Sequence, residues 1–158
     1  MTFSLHLMAV RILALLFLTF WACSSPKKRI LTREFPASVW VFPDTIWGEL
    51  SVSASGECFD IELGITVEDN YPWRNLYTLV FIESPDGFRS QSRINLVFSD
   101  TLGNWYEPNR KFRTLVARRT SFASAGTYRF GLLPYIRSDS VYGVREVSLY
   151  AESCSSAE

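Results

Sequence analysis

The chain is patterned with period two over most of its length. Over Cys58–Val67, Phe59, Ile61, Leu63, Ile65 and Val67 alternate with Asp60, Glu62, Gly64 and Thr66. That spacing suits a strand with one buried face and fits no helical stripe. Residues 76–82 are almost continuously apolar (Leu76, Tyr77, Leu79, Val80, Phe81, Ile82), the pattern of a central strand covered on both faces, and Pro85, Asp86 and Gly87 supply the turn after it. Ile94, Leu96 and Phe98 alternate again, as do Tyr128, Phe130 and Leu132, and Val147 and Leu149. Residues 39–42 and 46–52 are earlier strand candidates, and residues 113–118 carry a weaker pattern.

About seven to nine short strands, divided by turn signals and with no amphipathic helix, predict an all-β fold: an antiparallel two-layer β-sandwich. Immunoglobulin-like and jelly-roll topologies both fit. Phe59, Ile61, Leu63, Leu79, Phe81, Tyr128, Phe130 and Leu132 are expected in its core. Cys58 opens one strand and Cys154 follows another, so the two are candidates for a disulfide in an oxidising compartment, with two free thiols as the alternative.

The N-terminus has a different character. Residues 12–22 form an uncharged apolar run behind Arg11. As a helix the run would extend ~17 Å, short of the ~30 Å hydrocarbon core but suited to the apolar region of an export signal. It closes on Phe20-Trp21-Ala22-Cys23, a small residue directly before a cysteine, which resembles a bacterial lipobox. Cleavage before Cys23 would leave that residue acylated, and several acyl chains anchor a domain stably. A plain signal peptide or a membrane anchor with an incidental cysteine is the alternative. The expected organisation is a lipoprotein signal peptide over 1–22, the lipidated cysteine and a tether over 23–37, a β-sandwich over 38–152 and a flexible tail over 153–158.

Composition removes whole classes of function. The 16 Lys and Arg balance 16 Asp and Glu, so the basic excess that nucleic-acid binding needs is missing. The charges are unevenly placed: eight acids and no base lie between Glu34 and Asp69, and seven bases face two acids between Arg89 and Arg119. A self-complementary solvated surface accounts for that arrangement. The single histidine is His6, inside the expected signal, so histidine-based triads and the common zinc sites have no ligand in the mature chain. No phosphate-binding glycine loop occurs. The expectation is a protein that is not an enzyme and uses no cofactor and no metal.

The most distinctive stretch is Asn70-Tyr71-Pro72-Trp73-Arg74-Asn75. Asn70 and Asn75 are turn formers, and a Tyr-Pro bond favours the cis isomer more than most. Tyr71, Trp73 and Arg74 belong to the residue types that anchor interfaces. The stretch is therefore the candidate partner-binding loop (Asn70, Tyr71, Trp73, Arg74, Asn75), with a purely structural cap of the sandwich as the alternative.

Asn70-Tyr71-Pro72-Trp73-Arg74-Asn75-Leu76-Tyr77 resembles the "DYPYxNLYL" signature of the gliding-motility lipoprotein GldH family of Bacteroidota. The likeness runs on through Ser84-Pro85-Asp86-Gly87, Ser99-Asp100-Thr101-Leu102-Gly103-Asn104-Trp105, Ala125-Gly126-Thr127-Tyr128-Arg129-Phe130 and Gly143-Val144-Arg145-Glu146-Val147. After Trp105 the family tends to be glycine-rich, whereas this chain has Tyr106-Glu107-Pro108-Asn109-Arg110. The resemblance implies an outer-membrane lipoprotein, bound to the membrane through its lipid anchor. It further implies a non-catalytic accessory or scaffold role among the envelope proteins of the gliding and type IX secretion machinery. Ser-Ser-Pro-Lys-Lys after Cys23 has no acidic run of the kind that resembles a surface-export tag, which points to the periplasmic face. The rival reading is a lipid-anchored carbohydrate-binding module, suggested by Trp73, Trp105 and Tyr106 in predicted loops.

Overall fold

The computed structural model describes residues 27–154. The expected signal peptide, Cys23 and the residues up to 26, and residues 155–158 of the expected tail lie outside the described residues. Ten strands form, and no helix among the described residues: β1 (Lys28–Glu34), β2 (Val39–Val41), β3 (Ile46–Val52), β4 (Cys58–Val67), β5 (Asn75–Glu83), β6 (Arg89–Val97), β7 (Lys111–Ser121), β8 (Gly126–Pro134), β9 (Ser140–Tyr142) and β10 (Val144–Ser153).

Two four-stranded sheets, ordered β1-β10-β4-β7 and β3-β8-β5-β6, and a small β2-β9 ribbon account for all of them. Every pairing is antiparallel. Each strand pairs with its counterpart counted from the other end of the chain: β1 with β10, β2 with β9, β3 with β8, β4 with β7 and β5 with β6. The chain is thus one long hairpin rolled up on itself, and β10-β4 and β8-β5 contacts close the roll into two layers. That is the jelly-roll arrangement rather than the immunoglobulin one. The hairpin tip is the turn at Ser84-Pro85-Asp86-Gly87, where the Gly87 N–H donates to the Ser84 carbonyl at 2.9 Å and Gly87 takes φ +86°. Hydrogen bonds from the Ser84 hydroxyl and then the Phe88 N–H hold the Asp86 carboxyl below its ordinary pKa.

Alternation decides which residues enter the core. Phe59, Ile61, Leu63, Ile65 and Val67 of β4 are all buried, as are Tyr128, Phe130 and Leu132 of β8 and Val147, Leu149 and Ala151 of β10. Each fully buried aliphatic side chain of this kind contributes on the order of 1.5 to 3 kcal/mol. Trp40, from β2, is also fully buried and donates its indole N–H to the Asp44 carbonyl at 3.1 Å.

Three expectations need correction. Leu79 and Phe81 are not core residues: on β5 the inward positions are Leu76, Thr78 and Val80, while Tyr77, Leu79 and Phe81 point away from the second sheet. Nothing in the described residues layers over that outer face, so β5 is central in its hydrogen bonding but covered on one side. The expected tether contains a strand, because Lys28–Glu34 pairs with β10 and buries Ile30 and Leu31. The cis proline is at Phe42-Pro43 and not at Tyr71-Pro72.

Cys58 and Cys154 form a disulfide that joins the start of β4 to the end of β10, with the Cys154 N–H donating to the Cys58 carbonyl at 3.0 Å. Lys28 pairs with Ala151, two residues from Ser153, which faces Phe59. The chain therefore enters the sandwich at the disulfide end. The loop after Val67 lies at the opposite end, ~30 Å away along β4 at ~3.3 Å per residue.

Candidate functional site

The loop between β4 and β5 is fastened at both of its ends. The Glu68 N–H donates to the Gly143 carbonyl (2.8 Å) and the Tyr71 N–H to the Glu68 carbonyl (3.1 Å). The Glu68 carboxylate accepts the Ser38 hydroxyl at 2.7 Å and lies 3.7 Å from the Arg145 guanidinium. Farther along, the Phe98 N–H donates to the Arg74 carbonyl at 2.7 Å, and Asn75 Nδ2 donates to Asn95 Oδ1 at 2.7 Å.

The aromatic residues of this loop divide into two kinds. Tyr71 is 5% exposed and Trp73 is 64% exposed. The Tyr71 ring turns inward, edge-on to Phe98 at 5.3 Å. It also passes so close to Gly143 that a Cβ there would sit 3.0 Å from the ring, and Gly143 itself takes φ +83°. Burial pushes the Tyr71 phenol well above its ordinary pKa. Tyr71 is therefore the plug at this end of the sandwich, so for this residue the cap reading of the loop holds and the contact reading does not. Asn70, Trp73 and Arg74 are exposed and Asn75 is half-buried. Arg74 makes no ion pair among the described residues.

Of the other two candidate aromatics, Trp105 packs against Phe98 (6.4 Å) and Phe112 (6.0 Å) under the Arg110 guanidinium at 4.3 Å. It is half-buried, whereas Tyr106 is exposed. The turn before Trp105 is held by the Asp100 carboxylate, which accepts from Asn104 Nδ2 (2.9 Å) and from the N–H groups of Asn104 (2.9 Å) and Leu102 (2.8 Å). Those bonds, led by the Asn104 side chain, keep Asp100 below its ordinary pKa.

Trp73 forms one wall of an open groove of about 830 Å³ whose other sides include Tyr77, Arg93, Tyr135, Ile136 and Arg137. The Arg93 guanidinium lies 5.8 Å from both the Tyr77 and the Tyr135 rings. These residues escaped the sequence reading because Tyr77 sits in a run apolar at nearly every position, where period two assigns no parity. Thr78, the one polar residue in that run, is fully buried and was the only local hint that its neighbours face outward. Among the described residues no cluster of His, Cys, Asp and Glu could hold a metal, and no helix is long and apolar enough to cross a membrane.

Residues 31–150 match the sequence model of a family described as GldH lipoprotein. The chain belongs to the GldH lipoprotein family. The match takes in β1 from Leu31 to the last strand, so it spans both layers of the jelly roll. In this GldH-family chain the signature stretches are largely structural: Tyr71 plugs against Gly143, Pro85-Asp86-Gly87 makes the hairpin tip, and Asp100 to Trp105 makes a self-bonded turn. No curated protein matches the sequence. Among solved structures, the functional form of the mosquito-larvicidal Cry4Aa toxin from Bacillus thuringiensis is similar at a TM-score of 0.46 and 9% identity; the match covers 82% of this chain and 23% of that one. The GldH-family chain thus spans under a quarter of the toxin's length.

Proposed function

We propose that this GldH-family lipoprotein is acylated at Cys23, sits on the periplasmic face of the outer membrane and serves as a non-catalytic accessory of the gliding and type IX secretion envelope machinery. Its contact with that machinery is made through Trp73 and Arg74. The observation that carries the reading is the opposition of anchor and loop: the chain enters β1 at the disulfide end, and Trp73 stands 64% exposed at the other. Lys28 is five residues after Cys23, a reach of at most ~18 Å, so an acyl anchor holds the disulfide end near the bilayer and leaves Trp73 and Arg74 toward the periplasm. Tyr71 and the backbone bonds fix the loop beforehand, which limits the ordering entropy lost on docking.

The test is crosslinking and co-purification of the intact lipoprotein from native membranes. Envelope components of the gliding or secretion machinery should be recovered, and Trp73→Ala and Arg74→Ala should lower that recovery at unchanged stability. Cys23→Ala should abolish stable membrane association, because the proposed anchor is acyl chains. Normal recovery in both loop variants would withdraw the contact role.

A further inference from the structure

The two outer faces of the sandwich differ in chemistry. On the β1-β10-β4-β7 sheet, Glu62 pairs with Lys27 and Arg113, each at 3.2 Å, and Lys27 also reaches Glu152 at 3.5 Å; this is a solvated ionic surface. The outer face of the β3-β8-β5-β6 sheet carries fixed aromatic rings as well as one ionic cluster, in which Glu83 pairs with Arg89 at 3.1 Å and Arg129 at 3.3 Å. Trp47 lies across Gly131, where a Cβ would stand 2.8 Å from the indole, and only glycine leaves the ring room to lie flat. The Arg129 guanidinium is 4.8 Å from the same ring and Phe81 is 6.4 Å away. Trp47 remains 46% exposed, and Tyr77 and Tyr135, which flank Arg93, are 41% and 49% exposed. Tyr77 and Phe81 are four residues apart on β5, so the two aromatic platforms lie ~13 Å apart along the strand, the span of a short oligosaccharide.

We propose that this sheet face binds an acidic polysaccharide, its sugar rings stacked on Trp47 and on the Tyr77–Tyr135 pair and its carboxylates held by Arg93 and Arg137. Sugar rings present C–H faces to aromatic rings, and their hydroxyls suit planar polar side chains such as Gln91 and Asn95, which face Phe81 and Tyr77 across the β5-β6 ladder. The sign of the ligand follows from the lining of the larger groove, which contains Arg93 and Arg137 and no acid. Neither arginine makes an ion pair among the described residues. A peptide adding as an extra strand needs an open sheet edge; Tyr77 and Phe81 are on the inner strand β5 and Tyr135 directly follows the inner strand β8, while Trp47, on the edge strand β3, lays its ring inward over Gly131 of β8.

Trp73 forms one wall of the same groove, so the proposal is tested with residues outside the Trp73–Arg74 loop, whose loss leaves that contact in place. The full chain in detergent is run by native electrophoresis in gels containing polygalacturonate, alginate or neutral dextran, and its tryptophan emission is titrated with galacturonate oligomers. Retardation by the carboxylated polymers and not by dextran is expected. Arg93→Ala and Tyr77→Ala should each weaken binding about tenfold or more, while Arg113→Ala, on the opposite sheet, leaves it unchanged. Denaturant midpoints of all three variants establish that they are folded. Absence of retardation by both carboxylated polymers, equal retardation by dextran, retention of binding in both Arg93→Ala and Tyr77→Ala, or equal loss in Arg113→Ala would each overturn the proposal. Loss of protein crosslinks in Arg93→Ala without any glycan binding would overturn it too and make the face a protein interface.

Discussion

Replacing Tyr71 and Trp73 separately by alanine distinguishes the plug from the contact residue. Tyr71 is almost wholly buried, edge-on to Phe98 and pressed against Gly143. An aromatic ring of this size buries ~150 to 200 Å², which at ~25 cal/mol per Å² gives ~4 to 5 kcal/mol. Measured truncations of buried aromatic rings cluster at ~3 to 5 kcal/mol. Trp73, by contrast, is mostly in water, and Trp73→Ala should change stability by no more than ~0.5 kcal/mol. The assay is urea unfolding with the disulfide intact. With a slope of ~2 kcal/mol per M, Tyr71→Ala should lower the midpoint by ~1.5 to 2.5 M and Trp73→Ala by less than ~0.3 M. If Trp73→Ala shifts the midpoint as far as Tyr71→Ala, the division of labour assigned to this loop is wrong.

Other outcomes follow from the same structure. Val80→Asn should cost about 3 kcal/mol or more and Leu79→Asn about 1 or less, because only Val80 faces the second sheet; the reverse order in denaturant unfolding would invalidate the facing of β5. Tyr71→Phe removes a hydroxyl whose bond to the Asn75 carbonyl is a long 3.5 Å, so near neutral pH the variant should match the parent. The Tyr71 phenol is raised above its ordinary value of 10.0 by burial, so its contribution is intact below that pH and is lost as pH climbs past it; parental midpoints should therefore fall more steeply than those of Tyr71→Phe in titrations above pH 10. Cys58→Ser opens a cross-link between residues 96 apart in sequence and should lower stability by about 4 to 5 kcal/mol in the chain-entropy model, measured against the oxidised parent.

What was legible in the chain was whatever alternation alone decides. β4, and β8 as far as Leu132, could be read residue by residue, since their large apolar side chains sit at every second position. β5 could not, since Tyr77, Leu79 and Phe81 are as apolar as the residues on its buried face, and the same ambiguity concealed the Trp47 and Tyr77 platforms. Lys28–Glu34 looked like a tether because four of its seven residues are charged; its strand depends on pairing with β10, more than a hundred residues away, which no local pattern reveals. The jelly roll is a matter of long-range pairing for the same reason. In the candidate loop, sequence singled out six residues but not their directions, because the inward turn of Tyr71 is set by the bare backbone of Gly143 across the sandwich.

The central claim is that the end of the sandwich far from the anchor, marked by Trp73 and Arg74, meets the gliding and secretion machinery. The most direct measurement places a photocrosslinking amino acid at position 73 of the full-length lipoprotein and irradiates native membranes, with a second probe at position 113 on the ionic face as reference. Adducts with envelope components of that machinery from position 73, absent from position 113 and reduced by Arg74→Ala, are the predicted result. Adducts from position 113 alone, or none from position 73 in membranes where the lipoprotein is anchored and folded, would contradict it.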